Sequence, residues 1–169
     1  MKVLIYFFLF FKILTVTVNA EIAFIDINYI LNNSDVGKSL NSHLDKINKK
    51  HIQTFQKIEN ALIKKEKVLI AQQNVINELE FKKKINILSE EVKKYRNDKN
   101  KSKEDLNKIK ILNTKKIFKM INPIITNYVE NNAISLVIPK KNIIVGKKKL
   151  DITNKILEIL NNQHSSIVF

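Results

Sequence analysis

From Leu44 onward apolar side chains recur in steps of three and four. Leu44, Ile47, His51, Phe55, Ile58, Leu62, Lys65, Leu69, Gln72, Ile76 and Leu79 trace one line, a heptad with one extra four-step. That spacing belongs to a helical seam with a stutter and not to a strand, whose period is two. The seam resumes at Ile85, Leu88, Val92 and Tyr95, and again at Leu106, Ile109, Asn113 and Ile117, with a polar stretch from Arg96 to Asp105 between the two groups. From Lys38 to Asn122 there is neither glycine nor proline, so nothing local interrupts a helix.

A rod of that length invites a fold-back. Leu88-Ser89-Glu90-Glu91 sets a potential N-cap before two acids, which the positive end of a helix dipole favours. A turn near residues 86–89 divides the arm, 39–132, into limbs of nearly equal length, each about 65 to 70 Å at a helical rise. The expectation is an antiparallel helical hairpin with both ends at one base, and Pro123 is expected to kink its descending limb.

Flanking the arm, the pattern shortens to strands. Ile22-Ala23-Phe24-Ile25-Asp26-Ile27 is an almost continuous apolar run, read as a strand buried on both faces. Tyr29-Ile30-Leu31 forms a helical turn, and Asn33-Ser34-Asp35 with Val36-Gly37-Lys38 reads as a capped helix start. Beyond the arm, Ile134 to Ile138 is a second strand, residues 139–142 a turn, and Ile143-Ile144-Val145 a third strand ending at Gly146. Leu150-Asp151-Ile152-Thr153 opens a final helix with an apolar stripe through Ile152, Ile156, Leu157, Ile159 and Leu160. These pieces, 21–38 and 133–161, form a head of roughly 50 residues, too small to be stable alone and with open sheet edges. A homo-oligomeric head follows from that size. The fold class is α+β, mostly helical; residues 162–169 are a C-terminal tail.

Residues 1–20 have the layout of a cleavable secretory signal peptide. Lys2 supplies the charge, Val3 to Phe11 the apolar run, and Val18-Asn19-Ala20 the small-residue site, with Lys12 as an irregularity. Export through that leader implies the periplasm. The formal net charge is +14, and Leu44 to Met120 carries 21 basic against 10 acidic residues, so nearly all of the excess is on the arm. The chain is rich in Ile, Asn and Lys together, the composition an AT-rich genome encodes, so charge alone assigns no lysine a role.

The chemistry-bearing residues do not assemble an enzyme. There is no cysteine, hence no thiol chemistry. Two glycines cannot build a phosphate-cradling loop. His43 and His51 stand eight residues apart, too far for ligands on adjacent turns, and read as solvated arm histidines. Asp26 reads as a strand-end or capping acid. No metal or cofactor is expected. Lys82-Lys83-Lys84, Lys93-Lys94 and Arg96 make the distal arm densely positive; such a surface attracts acidic chains and anionic lipid or lipopolysaccharide headgroups. Nucleic acid is the competing partner of a basic helix, but an exported chain does not meet it in the cell.

The head segments resemble the Skp/OmpH family of periplasmic chaperones. The matching residues are Ile22-Ala23-Phe24-Ile25-Asp26 with Ile30-Leu31, Ser34, Gly37-Lys38 and Leu44; then Leu88-Ser89-Glu90-Glu91; then Leu136-Val137, Leu150-Asp151-Ile152-Thr153, Ile156-Leu157 and Leu160-Asn161. The resemblance implies a jellyfish-like homotrimer, with a small β-rich head and long helical hairpins around a cavity. It further implies ATP-independent holding of unfolded outer-membrane β-barrel proteins on their way to the outer membrane. Candidate client-binding residues are Lys82, Lys83, Lys84, Lys93, Lys94 and Arg96. Candidate trimerisation residues are Ile22, Phe24, Ile25, Leu136, Val137, Ile138, Ile143, Ile144 and Ile156. The alternative is a structural or adaptor coiled coil of the envelope, anchored by an uncleaved leader; the polar seam positions favour arms that splay around a cavity.

Overall fold

A computed structural model describes residues 21–168; the expected leader lies outside them. The chain begins with β1 (Glu21–Ile25), and Asp26 ends it by turning the backbone into α1 (Ile27–Asn33). Its carboxylate accepts from the Tyr29 N–H at 2.9 Å, the capping role read from the sequence. Ser34 then caps α2 (Asp35–Ala71), accepting from the Gly37 N–H at 3.1 Å. After a turn comes α3 (Glu78–Asn131), followed by β2 (Ile134–Pro139), two single-turn 3-10 segments at Lys140–Asn142 and Lys148–Leu150, and α4 (Thr153–Gln163).

The two long helices form the expected antiparallel hairpin, but its turn lies elsewhere. It occupies residues 72–77, and Ser89 sits inside α3. Asn77 is the true cap: its side chain accepts from the Glu80 N–H at 2.9 Å, and Glu78 and Glu80 fill the first turn. The limbs are therefore unequal, 37 and 54 residues, or about 55 and 81 Å. The Leu88-Ser89 phrase continues the helix, with Leu88 on the side of α3 turned toward α2, where it borders the same hollows as Leu69. Pro123 lies within α3, which runs on through it.

β1 and β2 pair in parallel, Ile22 opposite Leu136 and Phe24 opposite Ile138. No third strand forms at Ile143 to Val145 among the described residues. The far side of β1 is already taken: Phe24 bridges Asp151, and the Ile152 N–H donates to the Phe24 carbonyl at 3.0 Å. Ile144 and Val145 are left almost wholly exposed. Nor is β1 buried along its length. Glu21 and Ile22 are exposed, Ala23 to Ile25 are buried, and Ile27 belongs to α1.

The core runs past the head into the base of the arm. Ala23, Ile25, Ile30 and Val36 pack with Leu40 and Leu44 of α2, Ile117, Ile121 and Ile124 of α3, and Ile152, Ile156 and Leu160 of the last segment. Ile167 of the tail joins the same cluster, and the Lys116 ammonium donates to the Val168 carbonyl at 3.1 Å. Polar ties fix the joints. Asn161 of α4 accepts from the Asp35 N–H at 2.9 Å, and the Thr153 hydroxyl accepts from the Asp26 N–H at 2.9 Å. Leu160-Asn161 and Asp151-Ile152-Thr153 are thus the pieces that hold the final helix against the start of the arm.

Candidate functional site

Leaving the core, α2 and α3 keep contact along a seam whose polar positions are paired across the hairpin. The Lys65 ammonium meets Glu91 at 2.6 Å and the Lys84 ammonium donates to Gln72 Oε1 at 3.1 Å. Further toward the base the Tyr95 hydroxyl donates to Glu59 at 2.8 Å and accepts from Lys99 at 2.8 Å, while its ring meets Phe55 edge-on at 6.0 Å. The Tyr95 hydroxyl and then the Glu59 carboxylate hold the Lys99 ammonium above the usual lysine range against the opposing pull of desolvation. His51 is half-buried and shares a 2.6 Å hydrogen bond with Ser102, which corrects the reading of a solvated histidine. Its seam position places it there. Exposed pairs of this kind contribute little each; they set register more than stability.

The predicted cations lie together on the outer half of α3. Lys82 pairs with Glu78 at 2.7 Å, Lys84 with Glu80 at 3.3 Å and Lys93 with Glu90 at 3.9 Å, all within the helix. Lys83, Lys94 and Arg96 are exposed, and none of them has an ion pair among the described residues. The surface is cationic but partly self-neutralised.

The predicted head residues separate into three groups. Phe24, Ile25 and Ile156 are buried within the single chain, whereas Val137, Ile138 and Ile143 are half-buried. Ile22 and Leu136, directly paired across the sheet, are 48% and 52% exposed, and Ile144 is fully exposed. Next to this surface Gly146 lets the loop lie on the Phe24 ring, where a β-carbon would sit 2.7 Å from the ring edge.

One feature of the arm escaped the reading of the seam. The positions one residue after it on α2, Ile52, Ile63 and Ile70, are all exposed and align on one face. Ile52 and Ile70 border a groove whose other wall is α3, and Ile63 lies on the same helix face between them. Two hollows of about 240 and 520 Å³ lie along it, the first bounded by Ile52, Glu59 and Lys103, the second by Ile70, Ile85, Val92 and Arg96. The opposite face of the hairpin has its own hollow, bounded by Lys64, Val68 and Ile87. A second apolar stripe offset by one from the seam was the available signal.

Among the described residues no group of three or more His, Cys, Asp or Glu side chains is placed to hold a metal ion, and no helix is long and apolar enough to cross a membrane. A profile for outer membrane proteins of the OmpH-like type matches residues 21–160. No curated protein matches the sequence. Among solved structures, a crystal structure from Caulobacter crescentus CB15, described as a candidate OmpH-like outer membrane chaperone, superposes with a TM-score of 0.80 at 14% identity, covering 89% of each chain. At that identity the likeness is one of fold.

Proposed function

The chain belongs to the OmpH-like outer membrane protein family, and from that premise we propose that it is an ATP-independent holdase chaperone of the periplasm. Its clients are unfolded outer-membrane β-barrel proteins, kept from aggregating on the way to the outer membrane. The observation that carries this reading is the arm itself. A hairpin that runs on for about 40 Å past Leu44, the last core residue of α2, exposes isoleucines at positions 52, 63, 70 and 87 within a cationic surface. Such a surface meets apolar, acid-bearing chains without having to recognise a sequence. The Caulobacter structure of the same fold is described as an outer membrane chaperone candidate, which supports the assignment.

Assembly into a trimer belongs to the same proposal. Supporting it are the exposed Ile22-Leu136 pair, the outer edge of β2, and the bare Ile144 and Val145, an apolar surface at the end opposite the arm tip. Three such heads joined at that surface hang their arms around a common space. In that arrangement 1–20 is the cleaved leader, 21–38 with 133–161 the head, 39–132 the arm and 162–169 the tail. Anionic lipid is a further partner of the tip lysines.

Light scattering on protein starting at Glu21 gives a mass of three chains, and the same protein keeps a β-barrel protein diluted from urea in solution without nucleotide. A stable monomer that leaves the β-barrel protein to aggregate overturns the proposal and leaves the structural coiled coil as the reading.

A further inference from the structure

The groove offset from the seam has the chemistry of a binding site, and its two faces are unequal. Ile52, Ile63 and Ile70 follow one another at 11 and 7 residues, which sets them along about 27 Å of helix; their exposures are 56%, 43% and 62%. Ile85 and Val92 line the same groove from α3. The α3 edge is cationic: Arg96 and Lys103 border the groove with no ion pair among the described residues. On the α2 edge Glu59 is engaged by Tyr95 and Lys99, leaving Glu66 as the one carboxylate there without an ion pair among the described residues. The occupant this selects is apolar along its centre and carries carboxylates along the side facing α3.

We propose that this groove is a discrete docking site for an extended, acid-bearing segment of an unfolded client, in preference to the opposite face of the hairpin, where a single hollow of about 460 Å³ has two of its three lysines, Lys65 and Lys84, already paired with Glu91 and Glu80. The proposal rests on the chaperone reading above and narrows it to one surface. An extended chain rises about 3.3 Å per residue, so 27 Å holds roughly eight residues, of which alternate ones, about four, point the same way. A segment alternating apolar and polar side chains, as β-barrel strands do, lays its apolar side chains on the isoleucine wall. Its carboxylates reach Arg96 and Lys103. The groove is open along its length, so the segment's backbone keeps its hydrogen bonds to water, and no sequence is selected beyond the alternation.

The absence of cysteine makes the test direct. In the full mature chain, a single cysteine at Gln56, in the groove, or at Lys64, on the opposite face, carries a photoactivatable benzophenone. The probe is a urea-unfolded outer-membrane β-barrel protein diluted into each labelled chain. Cross-links form at position 56 at least fivefold more than at position 64. In parallel, I52Q/I63Q/I70Q weakens client affinity about tenfold, whereas V68Q/I87Q on the opposite face changes it less than twofold. All five positions are exposed and glutamine favours a helix at least as well as isoleucine or valine, so circular dichroism stays that of the parent. Equal cross-linking on the two faces, or a triple variant that binds the client as the parent does, overturns the groove while the chaperone reading stands. A parent chain that leaves the client to aggregate overturns both.

Discussion

Gly37 lies against the carbonyl of Leu31 so closely that a β-carbon on it would stand 1.9 Å from that oxygen. The contact is what lets α2 leave α1 at the angle that brings Val36 and Leu40 into the head core. Neither backbone can yield without moving a helix. Gly37→Ala therefore separates the two helices at their joint, and overpacking of this kind costs about 1 to 3 kcal/mol or more. A urea titration of the variant shows the loss as a lower midpoint; an unchanged midpoint means the joint is looser than its geometry.

Leu136 and Ile156 differ in what they touch, and substitutions at the two should part accordingly. Ile156 is buried in the core of one chain, so Ile156→Asp places a carboxylate where nothing solvates it and unfolds the head. Leu136 is half exposed on the sheet. Leu136→Asp should leave the helical signal and the thermal transition of the chain largely intact while the mass by light scattering falls to that of a monomer. Loss of fold at both positions equally would remove the sheet surface from the proposed trimer contact.

Much of this architecture was written in the periodicity. The helical hairpin followed from the three-four spacing, the caps at Asp26 and Ser34 from their residue types, and the last helix from its stripe through Ile156 and Leu160. The turn is misplaced when Ser89-Glu90-Glu91 is read as the cap and the equivalent signal at Asn77 is passed over. Asn77-Glu78-Leu79-Glu80 and Ser89-Glu90-Glu91 are alike as local chemistry, and only the place of Leu88 against α2 separates them. Ile143 to Val145 has strand-forming residues, yet the place beside β1 is held by Asp151 and Ile152 from further along the chain, a non-local competition that no local pattern records. The groove was legible but hidden, because its isoleucines follow the seam one residue late.

Asp151 ties the head at a point that should respond to acid. Burial raises the pKa of its carboxyl, but hydrogen bonds from the Lys140 ammonium at 2.8 Å and from the Thr153 hydroxyl and N–H outweigh that and hold it below the usual carboxylate range. A folded-state pKa below the unfolded one means the contribution to stability is complete above about pH 4 and is lost as pH falls through the folded value. Asp151→Asn removes it. Urea midpoints of parent and variant should differ near pH 7 and converge in strong acid; a constant difference across that range would show that the carboxylate charge plays no part.

If capture has a long-range electrostatic stage, the tip lysines carry it. Exchanging Lys82, Lys83, Lys84, Lys93 and Lys94 for glutamine removes five charges at little cost in helix propensity. Three of the five lose short ion pairs along one helix, which are worth a few tenths of a kcal/mol each, and Lys84 also gives up its cross-hairpin hydrogen bond to Gln72. Association with an unfolded β-barrel protein, followed by stopped flow, should slow at low salt and lose much of its salt dependence, since exposed charges are screened over about 8 Å at physiological ionic strength. Dissociation should change less, because apolar contact holds the bound chain. Unchanged association at low salt would make those lysines a solvated face and nothing more.

The location of the hairpin turn gives a test that needs no client. Asn77 accepts from the Glu80 N–H at the start of α3, while Ser89 is exposed in the middle of that helix. Around the turn, the Val75 and Ile76 N–H groups donate to the Gln72 carbonyl at 3.0 and 3.2 Å, so the connection is closed without glycine or proline. Asn77→Ala removes a cap and should cost the distal hairpin about 1 kcal/mol. Ser89→Ala replaces a poorer helix former by the best one at an exposed site and should be neutral or slightly stabilising. Because the tip lies far from the core, amide exchange resolves the effect better than global unfolding does. Faster exchange over residues 78–84 in Asn77→Ala, with Ser89→Ala indistinguishable from the parent, is the expected pattern. The reverse pattern would put the turn near Ser89 and make the limbs equal.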